Sequence, residues 1–325
     1  MLRSRSGASP PPRLATGGPF ADAEGATSGK SGGGGGRSGA VGSLAAVRIA
    51  TWNVNSIRAR TARVVDWLQR ADVDVLALQE IKCRNDQFPY EAFEAAGYEV
   101  ATHGYNQWNG VAIASRVGLA EVETDFPGMP GFGTPQSDGT LPLEARAMAA
   151  TVSDGIRIWS LYVPNGRDLA DPHYPYKIAW LDRLRRVTAD RLAAQPDEAV
   201  ALMGDWNVAP LDTDVWDMAV FQGSTHVSQP ERDAFFAFES AGLTDVVRPL
   251  VPTGYTYWDY KQLRFPRNEG MRIDFVLGSR AFAELVTAAS IERNERKGDA
   301  PSDHVPVVVE LDVDSPLDDD RPMIF

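Results

Sequence analysis

The sequence predicts an α/β fold in which mixed β-sheets pack together and helices cover their outer faces. Short runs of Val, Ile, Leu and Ala have the length of buried strands, and helix-like stretches alternate with them. Asp154-Gly155 lies between two such runs and indicates a hairpin. Hairpins combined with helical crossovers favour packed mixed sheets over a purely parallel dinucleotide-binding sheet. The most informative runs lie at 48–56, 74–82, 159–167, 200–207 and 300–312.

The order of the elements follows from the spacing of apolar residues. Residues 58–71 place apolar side chains at helical spacing and lie between the first two predicted strands. Residues 174–194 predict a long amphipathic helix for the same reason. The runs at 145–152 and 156–163 flank the Asp-Gly turn and predict the two strands of its hairpin. Further strands are predicted at 256–260, 272–279 and 304–312.

Composition divides the chain into a single domain with a different segment at each end. Residues 1–45 are rich in Gly, Ser, Pro and Ala, include GGGGG at 32–36, and are predicted to be disordered. Early arginines faintly resemble an organelle transit peptide, although a flexible or wrongly assigned start is the preferred interpretation. Residues 46–312 are predicted to form one catalytic domain, followed by an acidic tail at 313–325.

Length and cysteine content limit the class of protein. The chain has 325 residues, 43% of them hydrophobic, which is enough for one large packed domain. No apolar stretch approaches the roughly 20 residues that a membrane span requires, so no membrane association is predicted. Cys83 is the single cysteine, which excludes an intrachain disulfide and predicts a reducing, cytoplasmic location. Nothing in the sequence indicates an obligate interface, and a monomer is expected.

The net charge of −12 appears unfavourable for a protein that handles nucleic acid. Lys and Arg supply most non-specific affinity for phosphates, so a broad binding surface is not expected. Basic residues nevertheless recur beside the polar strand ends. This recurrence predicts a local basic patch on an acidic protein, and ordinary solvated surface is the alternative. The residues include Arg58, Arg60, Lys82, Arg84, Arg167, Lys177, Lys261, Arg264, Arg267 and Arg272.

Polar residues follow the apolar runs at the points where the strands would leave the core. Because such strand ends gather along one rim of a sheet, we expect these side chains to lie together. Carboxylate and amide oxygens suit Mg²⁺ or Mn²⁺, and no thiolate cluster indicates zinc. The pattern therefore predicts hard-metal phosphate chemistry. The rim consists of Asn53, Glu80, Tyr162, Asp205, Asn207, Asp303 and His304.

The segment GDWN, at 204–207, is the most specific of these signals. In an extended chain Asp205 and Asn207 point the same way, while Trp206 packs on the other side. A carboxylate beside an amide can accept a proton from water or complete a metal position. A turn after a strand is the alternative interpretation, because Gly, Asp and Asn favour turns.

The segment SDH supplies the second strong signal. Asp303 and His304 project in different directions, so one could bind a cation while the other contacts a phosphate. Asp274 lies in an apolar run, where it is costly unless paired, and the His304 N–H is a suitable partner. A solvent-facing position on an edge strand is the alternative for Asp274. His103 and His226 lack this context and are predicted to be loop or surface residues.

The remaining rim residues are weaker signals when taken singly. Asn53 and Glu80 each end a buried strand and could bind a hard cation, although polar groups are common where strands leave the core. Lys82 could offset phosphate charge beside Glu80. Tyr162 precedes a tight Pro-Asn-Gly loop; its phenol could contact an oxygen at phosphorus, or the ring could be an ordinary core aromatic.

In this order, WNVNSIRAR, LQEIK, YVPNGR, GDWNVAP, GMRIDFVL and SDHVPV resemble the exonuclease III family of DNA-repair nucleases. The resemblance runs from about residue 47 to 311. It implies a four-layered α/β sandwich of two stacked sheets flanked by helices. It also implies cleavage at abasic sites, 3′-to-5′ exonuclease action on duplex DNA and removal of 3′-blocking phosphates, all dependent on Mg²⁺ or Mn²⁺.

The resemblance also implies a role for each matching residue. Glu80, with Asn53 and Asp303, would hold the principal metal, and Asp205 with Asn207 would activate water or bind a second ion. His304, held by Asp274, would contact the scissile phosphate or a metal, and Tyr162 would assist the leaving oxygen. The residues assigned to DNA, its phosphates or an extruded base-free sugar are Lys82, Asn165, Arg167, Lys177, Tyr257, Trp258, Lys261, Met271 and Ile273.

Two departures from the family pattern concern duplex contacts. His173 stands near a position that is lysine in some relatives, and Lys261 stands where they have arginine. Both affect the balance of exonuclease to endonuclease activity. A phosphoesterase acting on small molecules or lipids is the alternative within the same superfamily, and a silent DNA-binding scaffold is a third hypothesis. The full set of expected acids argues against the scaffold.

Overall fold

Two six-stranded β-sheets dominate the described residues, which are 46–153 and 155–313 of this computed structural model. The described residues belong to one compact unit by their contacts. The predicted N-terminal segment, Asp154 of the predicted turn and the acidic tail beyond Val313 lie outside the described residues. The strands are β1 (Ala46–Asn53), β2 (Val75–Gln79), β3 (Glu99–His103), β4 (Val111–Ser115), β5 (Ala120–Thr124), β6 (Ala147–Val152), β7 (Ile156–Tyr162), β8 (Val200–Asp205), β9 (Leu243–Asp245), β10 (Asp274–Ser279), β11 (Val286–Ile291) and β12 (Val307–Asp312).

Helices connect the strands and lie on the outer faces of the sheets. The two long helices match the predicted periodic segments, at Ile57–Arg70 and His173–Ala194. In chain order the helices are α1 (Ile57–Arg70), α2 (Tyr90–Ala95), α3 (His173–Ala194), α4 (Met218–Phe221), α5 (Gln229–Ser240), α6 (Arg264–Arg267) and α7 (Arg280–Leu285).

The two sheets have related strand orders, each with one parallel pair near its centre. The first sheet runs β11-β12-β1-β2-β4-β3, and β1 and β2 are parallel. The second runs β5-β6-β7-β8-β10-β9, and β7 and β8 are parallel. The remaining strand pairs are antiparallel. In each parallel pair the two strands are connected by a crossover helix, α1 between β1 and β2 and α3 between β7 and β8. A parallel connection must span the length of the sheet, so these helices are long and pack one face on it.

Alternation along the strands produces the layers. On β1, Ile49 packs in the core between the two sheets, whereas its neighbour Ala50 faces the helical side. Trp67 of α1 packs against the first sheet, and Trp180 of α3 packs against the second. The order is therefore helix, sheet, sheet, helix. The predicted four-layered α/β sandwich of mixed sheets is confirmed.

Two predicted strands differ from the structure. Residues 256–260 do not form a strand; within them, Tyr257 makes only isolated bridges to Met271 and His304. The last strand begins at Val307 instead of His304, so the SDH segment lies in the preceding loop. Pro306 immediately precedes the strand, and a proline cannot donate an N–H to a strand ladder. Both differences move site residues off the regular sheet.

Gly204 occupies a position in β8 where a side chain has no room. A Cβ there would lie 1.9 Å from the carbonyl oxygen of Leu161, and its φ is +149°. We expect Gly204→Ala to lower the free energy of unfolding by about 3 kcal/mol, the upper range for overpacking. Gly118→Ala is the control, because Gly118 also has positive φ but nothing within 4 Å of its added Cβ. Equal losses in urea unfolding would show that backbone conformation, not space, decides the effect.

Candidate metal and phosphate site

Strand register brings polar residues to one end of both sheets. In the second sheet, Asp205 on β8 is the register partner of Tyr162 on β7 and of Asp274 on β10. In the first sheet, Asn53 ends β1 opposite the last residue of β2, and Glu80 follows directly. The rim predicted from the apolar runs is therefore built from both sheets, not from one.

An acidic cluster forms where the two sheets meet. Glu80, Asp205 and His304 each offer a ligand atom, and these atoms lie within 4.8 Å of one another. Asn53 connects the sheets, because its Nδ2 donates to Glu80 Oε1 and to Asp205 Oδ2, each at 2.9 Å. Separate stretches of the chain thus converge at one point, as the pattern of strand ends predicts.

His304 is held as a cation between two carboxylates. Its Nδ1 lies 2.8 Å from Asp274 Oδ2, and its Nε2 lies 3.7 Å from Asp205 Oδ2. Burial alone would lower the pKa of His304, but Asp274 and Asp205 raise it to about 10. A protonated ring has no free lone pair for a cation. In this state Nε2–H can donate to a phosphate, while the predicted metal-ligand role of His304 stays a prediction.

Asp205 is the buried acid at the centre of the cluster. Burial, reinforced by Asp274 and Glu80 and opposed by His304, raises the pKa of Asp205 to about 7. Its Oδ1 accepts a hydrogen bond from the backbone N–H of Asn207 at 3.0 Å. A carboxylate with a pKa near neutrality can both take and release a proton, which suits a general base.

The carboxylates of Glu80 and Asp205 fit a hard divalent cation through oxygen. Asn53 turns its N–H toward them, because its Oδ1 accepts from the backbone N–H of Asn55 at 3.0 Å. Asp303 lies outside the three-residue cluster, and its Oδ1 accepts from Asn55 Nδ2 at 3.0 Å. In this arrangement Asn53 positions the ligands instead of adding an oxygen.

Asn55 is a site residue that the sequence reasoning missed. Its Oδ1 accepts from Lys82 Nζ at 2.6 Å, and Lys82 also contacts Glu80 Oε2 at 2.6 Å. Burial would raise the pKa of Glu80, but Lys82 and Asn53 lower it below its usual value. The available signal was spacing, since Asn55 follows Asn53 by two residues in WNVN. Lys82 is placed beside the acids, as its predicted phosphate role requires.

Asn165 and Asn207 form a paired amide beside Asp205. Asn165 Nδ2 donates to Asn207 Oδ1 at 2.9 Å, and Asn207 Nδ2 donates to the Val163 carbonyl at 2.9 Å. His226 Nε2 also lies 3.2 Å from Asn207 Oδ1. Asn207 Oδ1 thus accepts from Asn165, and the predicted metal-ligand role of Asn207 stays a prediction.

His226 lies in a loop, as predicted, but its ring also reaches the amide pair, a contact that the sequence reasoning did not anticipate. Burial and the nearby Lys177 charge lower the pKa of His226 to about 3, so the ring is neutral. The prediction that His103 is a loop or surface residue is wrong, since it is buried on β3 with Nε2 3.0 Å from Asp125 Oδ1. Neither partner adjoins its histidine in sequence, so no local pattern reveals these contacts.

Tyr162 lies at the end of β7 with its phenol held beside the acidic cluster. Burial and the Glu80 charge raise the pKa of Tyr162 well above its usual value, so the phenol keeps its proton. The guanidinium of Arg146 lies 4.8 Å from the ring centroid. Arg146 carried no signal in the sequence, because it directly precedes β6 and belongs to no motif.

Lys177 does not bind DNA directly, which corrects the sequence prediction. Its side chain is 0% exposed and forms an ion pair with the equally buried Glu231. Burial lowers the pKa of Lys177, and Glu231 opposes the shift; the pKa of Glu231 is lowered by Lys177 against its own burial. Because Lys177 lies on the buried face of α3, its ammonium group cannot reach a ligand in solvent.

A cavity of about 300 Å³ lies beside the amide pair, lined in part by Arg167, His226, Tyr257 and Met271. Tyr257 also packs against His304, with ring centroids 4.9 Å apart and ring planes tilted by 58°. Among the residues predicted for such a pocket, Tyr257 and Met271 line it; Arg167, predicted to contact DNA, lines it as well.

Two residues predicted for the pocket lie elsewhere. Ile273 packs in a small apolar cluster with Met271. Trp258 is buried and borders a different cavity, because adjacent residues of an extended segment face opposite sides. Its predicted contact with DNA is therefore wrong.

A larger cavity of about 670 Å³ lies on the other side of Asn165 and Arg167. Lys82, Tyr162 and His173 are among its lining residues. Lys261 is exposed in a short 3₁₀ turn, so its side chain is accessible to DNA. Its predicted contact with DNA stays a prediction. The two cavities share Arg167 as a lining residue, and Glu80 of the acidic cluster lines the larger one.

The paired state of His304 predicts a pH dependence of stability. The pKa of His304 is about 10 in the folded metal-free protein and about 6.5 when unfolded. The folded state therefore binds the additional proton, and this stabilisation is complete below pH 6.5 and lost as pH rises toward 10. We expect Asp274→Asn to lower the imidazole pKa and flatten this decline. NMR titration measures the imidazole pKa, and thermal melts in chelator measure the decline of stability with pH. An unchanged pKa in Asp274→Asn would contradict the pairing of His304 with Asp274.

Comparison with known proteins identifies the class to which this fold and site belong. A model of the Endonuclease/Exonuclease/phosphatase family matches residues 50–304. The chain belongs to this family. Nucleases of this family depend on divalent metals, which agrees with the divalent-metal fit of Glu80 and Asp205.

Named relatives give the more particular similarity. The chain is 28% identical over 285 residues to Exodeoxyribonuclease III of Haemophilus influenzae, covering 82% of this chain and 100% of that protein. It is 27% identical over 274 residues to Exodeoxyribonuclease of Bacillus subtilis, with 82% and 100% coverage. The predicted resemblance to exonuclease III is confirmed by these matches.

Solved structures agree with the sequence relatives. A variant of the 3′ phosphatase NExo from Neisseria, bound to a product DNA hairpin, superposes with a TM-score of 0.75 at 34% identity, covering 82% of this chain and 100% of that chain. An AP endonuclease from Archaeoglobus fulgidus superposes with a TM-score of 0.72 at 32% identity, with the same coverage. No described helix of the present chain has both the length and the apolar character to cross a membrane.

Proposed function

We propose that this protein is a metal-dependent DNA-repair nuclease that hydrolyses phosphate esters at abasic sites and at 3′ ends of duplex DNA. The observation that carries the proposal is the convergence of Glu80, Asp205 and His304 within 4.8 Å, with His304 held as a cation. Phosphodiester hydrolysis needs a carboxylate that accepts a proton from water, carboxylates that bind a metal, and a cationic donor to the phosphate.

Different residues of the site have separate roles in an in-line displacement at phosphorus. Asp205, at the centre of the cluster, accepts a proton from the attacking water. His304 donates Nε2–H to a non-bridging oxygen as negative charge grows at phosphorus, while Asp274 holds the ring. The attack breaks the bond from phosphorus to the 3′ oxygen of the preceding unit. A strand with a 3′-hydroxyl and a strand with a 5′-phosphate are the products.

The described site contains no nucleophile positioned for a covalent intermediate. The oxygens of Glu80 and Asp205 would hold Mg²⁺ or Mn²⁺, which would supply charge neutralisation at the phosphate when bound. Tyr162 keeps its proton and can hydrogen-bond the leaving oxygen. The amide pair of Asn165 and Asn207 lies beside Asp205, and each amide nitrogen has a second N–H that can donate to the phosphate.

Double-stranded DNA is the proposed partner. The two cavities beside the site support this proposal. The cavity lined by Tyr257 and Met271 has about 300 Å³, a size suited to an extruded sugar, and Arg167 stands exposed at its edge. Lys82 and Lys261 supply positive charge along the same face. We propose further that the protein acts as a monomer in the cytoplasm at the nucleoid; the single, buried Cys83 agrees with a reducing compartment.

Gel analysis of a labelled duplex with one abasic analogue, and of a duplex ending in a 3′-phosphate, tests the proposal. We expect cleavage or phosphate release with Mg²⁺ or Mn²⁺ and none with chelator. The pattern separates incision at the lesion, a ladder from the 3′ end, and end cleaning. Inositol phosphates and sphingomyelin serve as competing substrates, and hydrolysis of these with intact DNA would replace the proposal by the small-molecule alternative.

A further inference from the structure

The buried ammonium of Lys177 joins the loops that border the phosphate site. Lys177 lies near the start of α3, and its Nζ donates to the backbone carbonyl of Asn207 at 2.5 Å and to that of Asn165 at 3.3 Å. Its third contact is the carboxylate of Glu231 on α5. Each N–H of the ammonium therefore has an acceptor, and none is available to solvent.

Glu231 extends the same contact to a third loop. Its carboxylate accepts from Thr225 Oγ1 at 2.7 Å, from the His226 backbone N–H at 2.9 Å and from Ser228 Oγ at 2.6 Å. Ser228 caps α5, and Glu231 is the third residue of that helix. The ion pair thus ties the start of α3, the start of α5 and the loop carrying His226 into one unit.

The carbonyls that Lys177 holds belong to the same two residues whose amides meet at the phosphate site. Asn165 Nδ2 donates to Asn207 Oδ1 at 2.9 Å, and the two residues come from loops after different strands. The packing around them is tight, because a Cβ at Gly166 would lie 2.5 Å from Thr225 Oγ1. A displacement of either carbonyl would therefore move an amide.

We propose that the Lys177–Glu231 ion pair is a positioning device that fixes the side-chain amides of Asn165 and Asn207 at the reacting phosphate. The inference rests on the proposed nuclease function. A buried ion pair contributes little stability compared with apolar side chains of similar volume, so stability alone does not explain its presence. A fixed charge with several directed donors does explain it, because it sets the relative position of two loops.

Kinetics of Lys177→Met test the proposal. We expect kcat on a cleavable duplex to fall about tenfold to a hundredfold, because small misplacements of reacting groups have effects of this size. KM and DNA affinity should change little, since Lys177 contacts no substrate. A purely structural role would lower the melting temperature and leave kcat of the folded protein unchanged, which would overturn the proposal.

Arg191→Met is the matched control on the same helix. Arg191, near the end of α3, pairs with Glu198 through two hydrogen bonds, at 2.7 and 2.5 Å. Its loss also breaks an ion pair of α3 but touches no residue of the phosphate site. We expect a lower melting temperature with unchanged kcat. A kcat loss in Arg191→Met equal to that in Lys177→Met would show a general effect of helix stability and refute positioning.

A double-mutant cycle with Asn207→Ala decides whether Lys177 acts through the amide pair. We expect Lys177→Met to add little to the loss already caused by Asn207→Ala, whereas full additivity would overturn the proposal. If Lys177→Met does not fold, Lys177→Met with Glu231→Gln removes both charges and is measured instead. An inactive wild type in the same assay would refute the nuclease function itself, while an active wild type with fully active variants refutes only the positioning.

Discussion

Asp205→Asn is expected to lower kcat by about 10²–10³-fold with little change in DNA affinity. The amide keeps the shape of the side chain and can still accept a hydrogen bond from the Asn207 backbone, but it cannot take a proton from water. It also loses a charge that a divalent cation requires. Single-turnover cleavage at saturating enzyme, with affinity measured separately in Ca²⁺ or chelator, isolates the chemical step.

Asp212→Asn is the control for this variant. Asp212 follows Asp205 by a few residues, is largely exposed and pairs with Arg232 at the surface. Its neutralisation changes the net charge equally but leaves the acidic cluster intact, so kcat should stay at the wild-type value. Wild-type turnover by Asp205→Asn would refute its role as the base. A similar loss in both variants would point to overall charge instead.

His304→Ala is expected to lower kcat by about 10²–10³-fold, because one preorganised donor to the developing phosphate charge is removed. The loss should exceed any change in KM, since the growing charge belongs to the transition state. Asp274 and Asp205 would also face each other without the intervening cation, so a modest loss of stability should accompany the change. Activity is therefore measured well below the melting temperature.

His103→Ala provides a matched comparison for His304→Ala. Both rings are 4% exposed, and both pair with an aspartate, at 3.0 Å to Asp125 and at 2.8 Å to Asp274. His103 lies on β3, at the edge of the first sheet, and is not a member of the acidic cluster. We expect His103→Ala to lower stability without lowering kcat. Turnover by His304→Ala equal to that of His103→Ala would exclude a catalytic role.

Most of the architecture could be predicted because apolar spacing is a local property. The helix at 174–194 and the hairpin around residue 154 follow from periods of 3.6 and 2 residues, and the structure has both. The segment at 256–260 has the composition of a strand. Its backbone, however, forms hydrogen bonds with Met271 and with Asp303 of the SDH loop instead of with a strand. Its neighbours are distant in sequence, so local pattern gave the wrong element.

The acidic cluster could be predicted in part, because strand ends meet at a common rim. Asp205 and Glu80 followed from that rule, and the structure places them together. Lys177 shows the limit: a lysine near the start of a helix is usually exposed, and only Glu231, far along the chain, explains its burial. His226 was missed for the same reason, since its contacts come from other loops.

The sequence by itself determined the layered α/β class, the chemistry of the rim and the family resemblance, because these depend on residue type and short-range spacing. Only the tertiary structure decided which charges face one another. The pKa of His304 near 10, the neutral ring of His226 and the inward charge of Lys177 all arise from burial and from partners on other strands and helices. Electrostatic energy depends on distance and exposure in three dimensions, and neither quantity is contained in the order of residues.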